Sequence, residues 1–569
     1  MNPQPPSLFM QNSDKKNCFS VPSTQAVNST LSSPISTQLS SFKKSMHKKS
    51  MHEKVNILIQ LSEVLGVNNS CNNSTNNSTD NNARNHYSHP CLLLSRSELN
   101  KPDPSGNTAR SQQAVSDHQG FSFLMFNPSK QKHLCNEEER VLWQQQVSIE
   151  ANKAAGKPTL ADSSLSTYSQ SSQHNMHIPF HSGWVGYYAY PNTYPKEKAG
   201  SSTLLLAEFY YYPWSICLDH NSGLFHLLGN PDSFAIAAFD TLQQNLQEWP
   251  QQNQQQNQQQ AQKSSNPQFI KELAGAPFDS RLFKPSPFKA HPFKAHPFIP
   301  AWGKADYDRA FYKIQDYLKA GDCYQVNLTQ PHQAKYTGSA LSTVAPLYSA
   351  LNPSFGCYFE GRDCELVSVS PERFMSINAK GRIEAKPIKG TIKRSSNQQQ
   401  DQHYINELTH SSKNQAENLM IVDLLRNDLS MSAETNSVKV EKLFELETHP
   451  NVHHLVSTIS AQLKVGLTPA DAITKAFPGG SITGAPKKRA MEIIEELEAQ
   501  PRSLYCGSFG YYSDSGHADF NILIRSVEFR GGVMTCWGGG GITVDSDCDE
   551  EYEESLTKVR KIMEVIEGL

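Results

Sequence analysis

Two acidic helices, two glycine-rich segments and one lysine carry the residue types best suited to chemistry. ENLMIVDLLRNDLS (417–430) is an apolar helical pattern that puts Glu417, Ile421, Leu424 and Asp428 on one stripe, with a carboxylate at the edge of a greasy face. At the carboxyl end, DSDCDEEYEESLTKVRKIMEVIEGL begins acidic and becomes amphipathic. There Glu551, Glu554 and Lys558 share a stripe beside an apolar face of Leu556, Val559, Met563 and Ile566. Taken singly, acids in a first helical turn do no more than complement the helix dipole. FPGGSITGAPKKRAMEIIEELE pairs a glycine-rich turn with a proline suited to a first helical position, a junction that offers free amides and a positive dipole end to an anion. WGGGGITVDS (537–546) sets four glycines after a strand, reading as a loop whose amides approach a ligand closely. Neither glycine segment has the spacing of a nucleotide-binding loop. Lys389 lies between isoleucine and glycine in the strand-like KPIKGT, and a lysine in a semi-apolar setting loses its proton readily and serves as nucleophile or base. A lysine chosen blindly is a solvated surface charge, so its context decides. The combined reading is acids for a metal and amides for a carboxylate.

The elements that must position these groups are legible from punctuation and periodicity. ADYDRAFYKIQDYLKAG is an amphipathic helix with Tyr307, Ala310, Ile314, Tyr317 and Leu318 at helical spacing, closed by Gly321. YQVNLT, ELVSVS and RFMSI read as strands, and helices are expected at 413–429, 487–499 and 549–567. Upstream, CLLLS (91–95), FSFLMF (121–126), HSGWVGYYAYP, TLLLAEFYYYPWSICLD and GLFHLLG read as strands, and 51–66 as a short helix or an interrupted amphipathic segment. Strands and helices without regular β-α-β repetition predict an α+β architecture. The expected organisation is a disordered tail (1–50), a β-rich region (51–300) interrupted by low-complexity insertions at 68–86, 251–262 and 283–300, and a catalytic region (301–569). The tandem PFKAH repeat in 283–300 carries too many prolines for helix or inner strand and reads as a linker or surface loop.

Composition bounds the function classes. The formal net charge is -3 over 569 residues, which gives no bulk attraction to nucleic acid or anionic lipid. Eleven scattered cysteines without a C-x-x-C pair fit a reducing compartment. With no export signal and no membrane-length apolar run, the expectation is a cytoplasmic protein.

GDCYQVNLTQ, SPERF, KPIKGT, ENLMIVDLLRNDLS, VHHLVST, FPGGSITGAPK, RSLYCGSFGYY, FNILIRS and WGGGGITVDSDCDEEYEES occur in one order. Read together, they resemble the blocks of the chorismate-utilising enzymes, densely over 302–566. The resemblance implies a sandwich of large antiparallel sheets with helices outside and the active site in a central cleft, with the N-terminal strands in the same folded unit. It implies magnesium-bound chorismate, with Glu417 and Glu554 as direct ligands and Glu551 near them. Arg525 and Tyr505 would hold the enolpyruvyl carboxylate. The amides of Gly539 and Gly541, with Ser481, Gly390 and Thr391, would complete the cradle; His454 would sit near the enolpyruvyl group and Lys558 would be a further anion contact. Isochorismate-forming relatives carry a water-activating lysine where this chain has Gln325, whose amide cannot act as a base. Anthranilate synthases usually have alanine where this chain has Lys389; aminodeoxychorismate synthases have lysine. The implied activity is amination at C4 through a covalent Lys389 intermediate with Glu372 as proton donor, and the alternative is the anthranilate synthase large subunit. No G-x-C-x-G nucleophile turn of a glutaminase is visible, so ammonia is expected from a separate glutamine amidotransferase subunit.

Overall fold

Alternating and continuous apolar runs become strands of two antiparallel sheets, one of twelve strands and one of ten. A computed structural model of the chain describes residues 90–94, 121–135 apart from 127, 178–191, 205–220, 224–232, 292–448, 452–498 and 500–569, with isolated positions such as Val55, Leu58 and Trp143. The expectations for 1–50, 68–86 and 251–262 lie outside these residues, as does the 51–66 helix apart from Val55 and Leu58.

The upstream strands are β1 (Cys91–Leu94), β2 (Phe121–Met125), β3 (Lys130–Leu134), β4 (Gly183–Tyr188), β5 (Ala207–Tyr212), β6 (Trp214–Asp219) and β7 (Leu224–Gly229). Two short strands follow, β8 (Lys294–Ala295) and β9 (Ile299–Pro300), then helix α1 (Lys304–Ala320), β10 (Gln325–Thr337) and α2 (Val344–Leu351). The next run is β11 (Phe355–Glu360), β12 (Glu365–Ser370), β13 (Arg373–Ile377), β14 (Arg382–Ala385) and β15 (Ile388–Lys393). Helices α3 (Gln398–His410) and α4 (Ser412–Ser430) precede the hairpin β16 (Lys439–Thr448) and β17 (Val452–Gln462). Last come α5 (Pro469–Ala476), β18 (Gly484–Ala485), α6 (Lys487–Leu497), β19 (Ser508–Ser513), β20 (Ala518–Asn521), β21 (Ser526–Arg530), β22 (Val533–Ile542) and α7 (Cys548–Glu567).

The upstream strands are woven into both sheets. β1 pairs with β11, and β4 with β19, so the segment before residue 300 shares its ladders with the segment after it. Between the sheets lies a core that includes Phe123, Tyr187, Tyr210, Phe359, Leu366 and Phe509, drawn from both segments. Helices α2 and α7 cover the outer face of the larger sheet, and α4 and α5 cover the smaller one. Burial on both faces explains why β1 and β2 read as nearly continuous apolar runs, with Ser122 the one polar residue in β2. Among the described residues no helix is long and apolar enough to cross a membrane.

Local signals mostly hold. Helix α1 ends at Gly321 in the left-handed conformation (φ 80°) and buries Tyr307, Ala310, Phe311, Ile314 and Leu318, leaving Tyr317 half exposed. Helix α7 starts at Asp547, whose carboxylate accepts from the amides of Asp549 and Glu550, and it buries Val559, Ile562 and Ile566. Four expectations change. Gly538–Gly541 lie inside β22 and not in a loop. Pro486 is the residue that caps α6, and Lys487 is the first helical one. TLLLAEFYYYPWSICLD divides at Pro213, which lacks an N–H for a ladder, and sends β5 and β6 to different sheets. The described half of the PFKAH segment, 292–300, supplies β8 and β9 along β10, short pairings that leave its prolines at an edge. Helix α3, polar enough to bury only Leu408, had no apolar periodicity to announce it; Asn397 caps it through the amides of Gln399 and Gln400.

Glu372 immediately precedes β13, which a buried ion pair fastens to β20. The Arg373 guanidinium donates to both Asp519 oxygens at 2.9 and 2.8 Å, lies 3.5 Å from Glu384 and covers the Phe355 ring. Both partners are almost wholly buried. Removing one member strands the other charge without water. Arg373→Met is therefore expected to cost about 3–5 kcal/mol, read as a lowered denaturant midpoint, and Arg373→Met with Asp519→Leu should recover much of it. A double variant no more stable than the single one would contradict this.

Candidate active site

Lys389 stands at a bulge. β15 and β17 pair Ile388 with Val456 and Thr391 with His454, so two residues face one across the ladder. Gly390 takes a left-handed φ of 86°, and a Cβ there would press on Leu408 of α3 at 2.9 Å. Such a bulge re-aims a side chain away from the regular alternation. Lys389 is half-buried, and its ammonium is within electrostatic reach of both Glu372 and Glu554. Beyond the bulge, Thr391 Oγ1 and His454 Nδ1 are hydrogen-bonded at 2.8 Å.

Glu372 is pinned at its backbone and held inside. Its amide donates to Ser370 Oγ at 3.2 Å, and its carbonyl accepts from the Ile522 amide at 3.1 Å. Burial pushes its carboxyl above the usual range, opposed by the Lys389 charge, a hydrogen bond with Ser481, and the Arg525 and Lys558 charges. Burial also lowers the Arg525 pKa, with Glu372 opposing. Arg525 has φ 50°, and Tyr505 is flanked by Ser503 (φ 54°) and Cys506 (φ 61°). Non-glycine residues rarely tolerate this region, and such strain concentrates where a side chain must point in one direction. Tyr505 is buried and stacked on Trp537, centroids 5.5 Å apart and planes 7° from parallel. Its own burial keeps the phenol neutral.

The acids gather over the glycine strand. A Cβ on Gly540 would lie 3.2 Å from Glu551 Oε2, 3.4 Å from Lys558 Nζ and 3.7 Å from Glu554 Oε1. Lys558 Nζ donates to the Gly539 carbonyl at 2.9 Å and pairs with Glu554 at 2.7 Å. Ser546 Oγ donates to Glu551 Oε1 at 2.8 Å, and Lys413 of α4 approaches that oxygen to 3.8 Å. Burial raises the Glu551 carboxyl and the Glu554 charge adds to it. For Glu554 burial acts the same way, but Lys558, Lys389 and Lys413 outweigh it and hold the carboxyl below its ordinary value. The two acids offer hard oxygens of the kind Mg²⁺ takes together with an anionic ligand. Among the described residues no three His, Cys, Asp or Glu side chains converge tightly enough to hold a metal unaided. Glu417 lies one turn beyond Lys413 on α4. Its neighbour Asn418 fastens α4 to β17, accepting from Ser457 Oγ at 2.6 Å and donating to the Leu455 carbonyl at 3.4 Å.

Glu372, Lys389, Ser481, Arg525, Glu551, Glu554 and Lys558 thus form one electrostatic cluster, with Gly540 beneath the acids and the Gly539 carbonyl accepting from Lys558. Gly541 sits beside it, under the Gln325 amide, whose Nε2 is 2.1 Å from where a Cβ would be. Gln325 is fully buried, and neither side-chain amide atom has a hydrogen-bond partner among the described residues. Sequence reasoning missed Lys413, Ser546, Trp537 and Gly540. Period-two alternation along β22 would have pointed to Gly540; the others needed tertiary contacts.

The pattern described as chorismate binding enzyme matches residues 121–564. The chain belongs to that family. It is 47% identical over 265 residues to aminodeoxychorismate synthase component 1 of Salmonella typhimurium, an alignment covering 47% of this chain and 58% of that one. Against the Escherichia coli K12 protein of the same name the identity is 46% over 264 residues, covering 46% and 58%. The chain thus spans somewhat over half the length of these curated relatives. An anthranilate synthase component I-like protein of Synechocystis is 33% identical over 402 residues, covering 69% and 74%. The fold is shared with anthranilate synthase component I of Streptococcus pneumoniae (TM-score 0.57, 22% identity, 83% and 99% covered). It is shared also with the menaquinone-specific isochorismate synthase of Escherichia coli (0.54, 15%, 85% and 90%). The expected α+β sandwich of antiparallel sheets is the fold of this family.

The glycines of β22 make unequal demands. A Cβ at 539 would strike the Leu328 carbonyl oxygen at 2.4 Å, a backbone atom, whereas at 540 it would meet only the ends of flexible side chains. Gly539→Ala should lower stability by about 1–3 kcal/mol and Gly540→Ala by much less, compared by thermal unfolding. Equal losses at the two positions would contradict the placement of β22 against β10.

Proposed function

We propose that the chain aminates chorismate at C4 with ammonia, released from glutamine by a separate amidotransferase subunit, to give 4-amino-4-deoxychorismate for para-aminobenzoate and folate synthesis. The observation that carries this reading is Lys389 at a bulge between two carboxyls of opposite tendency, Glu372 raised and Glu554 lowered. Identity of 46–47% to component 1 of aminodeoxychorismate synthases supports it.

In this reading the Lys389 amine forms a bond to C2 of chorismate, the ring double bond shifts, and the C4–oxygen bond breaks. Glu372 gives the departing hydroxyl its proton, so water leaves. Ammonia then bonds to C4, the double bond shifts back, and the C2–nitrogen bond to Lys389 breaks; the proton ammonia sheds restores the acid. One hydroxyl is exchanged for one amino group. Two displacements leave the amine where the hydroxyl was, the ordinary logic of covalent catalysis. A buried Glu372 carboxyl whose burial favours the protonated form suits the donor role, and Glu554, held below its ordinary value, suits a cationic partner. Arg525 and Tyr505 would hold the enolpyruvyl carboxylate, the guanidinium through paired N–H groups. Ser481, Gly390, Thr391, the amides of Gly539 and Gly541, His454 and Lys558 would line the substrate. Glu417, Glu551 and Glu554 would hold Mg²⁺, which when bound would neutralise the ring carboxylate. The Gln325 amide offers no base for adding water.

Protein incubated with chorismate, Mg²⁺, ammonium and excess lyase is expected to yield para-aminobenzoate. An ortho product would instead make it an anthranilate synthase large subunit. Lys389→Ala should lose para-aminobenzoate formation on the order of 10³-fold or more while still binding chorismate; unchanged output would remove the covalent route. The raised Glu372 carboxyl loses its proton as pH rises through its pKa, so wild-type kcat/KM should fall on that limb. Glu372→Gln should lower the rate by roughly 10²–10⁴-fold and flatten the limb, and a limb that persists in the variant would assign it to another group.

A further inference from the structure

Asp428 ends the stripe on α4 that Glu417 begins. It lies about 16 Å further along the helix axis, so the two carboxylates cannot share one ligand. Its partner is Lys487, the first residue of α6. The Lys487 ammonium donates to both Asp428 oxygens at 2.8 Å and to the Ala476 carbonyl at 2.9 Å, which uses all three of its protons. Asp428 is 2% exposed; burial pushes its carboxyl upward and Lys487 opposes that. Without the lysine its charge would be stranded.

The three groups joined there enclose a segment of chain. Ala476 is the last residue of α5 and Lys487 the first of α6, so the ammonium closes 477–486 at its base, and Asp428 fixes that base to α4. One turn earlier on α4, Leu424 packs on the same segment: a Cβ on Gly480 would fall 2.3 Å from its Cδ2. Further along, the Ile482 carbonyl accepts from Asn327 Nδ2 at 3.1 Å and from Arg502 at 2.9 Å. The Thr483 carbonyl accepts from the Asn327 amide at 2.9 Å. Ser481 sits between the α4 contacts and the β10 contacts, and it is hydrogen-bonded to Glu372.

We propose that Asp428 and Lys487 are positioning residues for the amination: their clasp holds 477–486 against α4 so that the Ser481 hydroxyl stays hydrogen-bonded to the Glu372 carboxyl. The inference rests on the reading of Glu372 as proton donor. A hydrogen bond donated to the carboxyl favours its ionised form, as do the Lys389, Arg525 and Lys558 charges that face it. Opening the clasp withdraws the hydroxyl and leaves the three charges. Burial then acts with less opposition, and the acid keeps its proton to higher pH.

The test is a mutant cycle on the full chain, read as kcat/KM for chorismate consumption with ammonium and Mg²⁺ across pH. Lys487→Met with Asp428→Leu removes both charges and strands neither. That pair should lower kcat/KM about fivefold, in line with one hydrogen bond, and Ser481→Ala should do the same. The three substitutions together should cost no more than Ser481→Ala alone, because residues that act through one contact are not additive. In each variant the descending limb should move to higher pH. Asp428→Asn, which keeps the shape and one acceptor, should move it the same way by less; it serves in place of the pair if thermal unfolding shows that the pair does not fold. Losses that multiply, or a limb that moves for Ser481→Ala but not for the clasp variants, would overturn the assignment. Chorismate consumption is counted whichever aminobenzoate the product yields. A limb that persists in Glu372→Gln would fault the donor reading, and the cycle in kcat/KM would still decide the clasp.

Discussion

A side chain at position 538 would lie 2.3 Å from the Ser555 carbonyl oxygen, and that distance sets how helix α7 meets β22. Only glycine admits a helix so close to a strand. The approach lays the first turns of α7 along Gly538–Gly541, which brings Glu551, Glu554 and Lys558 over Gly540 and lets Lys558 reach the Gly539 carbonyl. With larger residues in β22 the helix would stand off and the acids would face water. The glycine run is thus a packing device first, and its effect on the site follows from it.

Around this contact the chain tolerates an unusual density of desolvated charge. Arg373 with Asp519 and Arg502 with Glu498 are each bidentate pairs with both members almost fully buried. Each costs desolvation that its own attraction and hydrogen bonds must offset. Their position gives them a purpose beyond stability: Arg373 directly follows Glu372, and Arg502 ties the Ser481 loop to the strand opposite Gly539 and Gly541. Rigid neighbours of this kind hold site groups in one orientation while the site itself carries strain at Arg525, Ser503 and Cys506.

The same burial acts differently on the two key carboxyls. Glu372 is enclosed, and desolvation favours its neutral form. Glu554 is half exposed and meets Lys558 directly, so its charged form prevails. Two acids separated by environment can take opposite roles in one reaction. Lys389 feels both and is aimed there by the bulge at Gly390.

The strands β1, β2, β4 to β7, β10, β12 and β13 and the helices α1, α4, α6 and α7 were readable because each depends on periodicity and on residues close in sequence, such as Gly321 at the end of α1. Residue types alone also marked Glu417, Glu551, Glu554 and Lys389 as candidates. Helix α3 was unreadable because it buries only Leu408 and so leaves no apolar stripe. The glycine run misled, since four glycines look like a turn until β10 is known to lie alongside and α7 to lie on top. Lys413, Ser546 and Trp537 join the site only through contacts between elements far apart in the chain, as does the ordering of the Glu372 and Glu554 pKa values. Local pattern determines which segments become helix or strand; burial, register and charge pairing exist only once those segments are packed, and they decided which of the candidate groups meet.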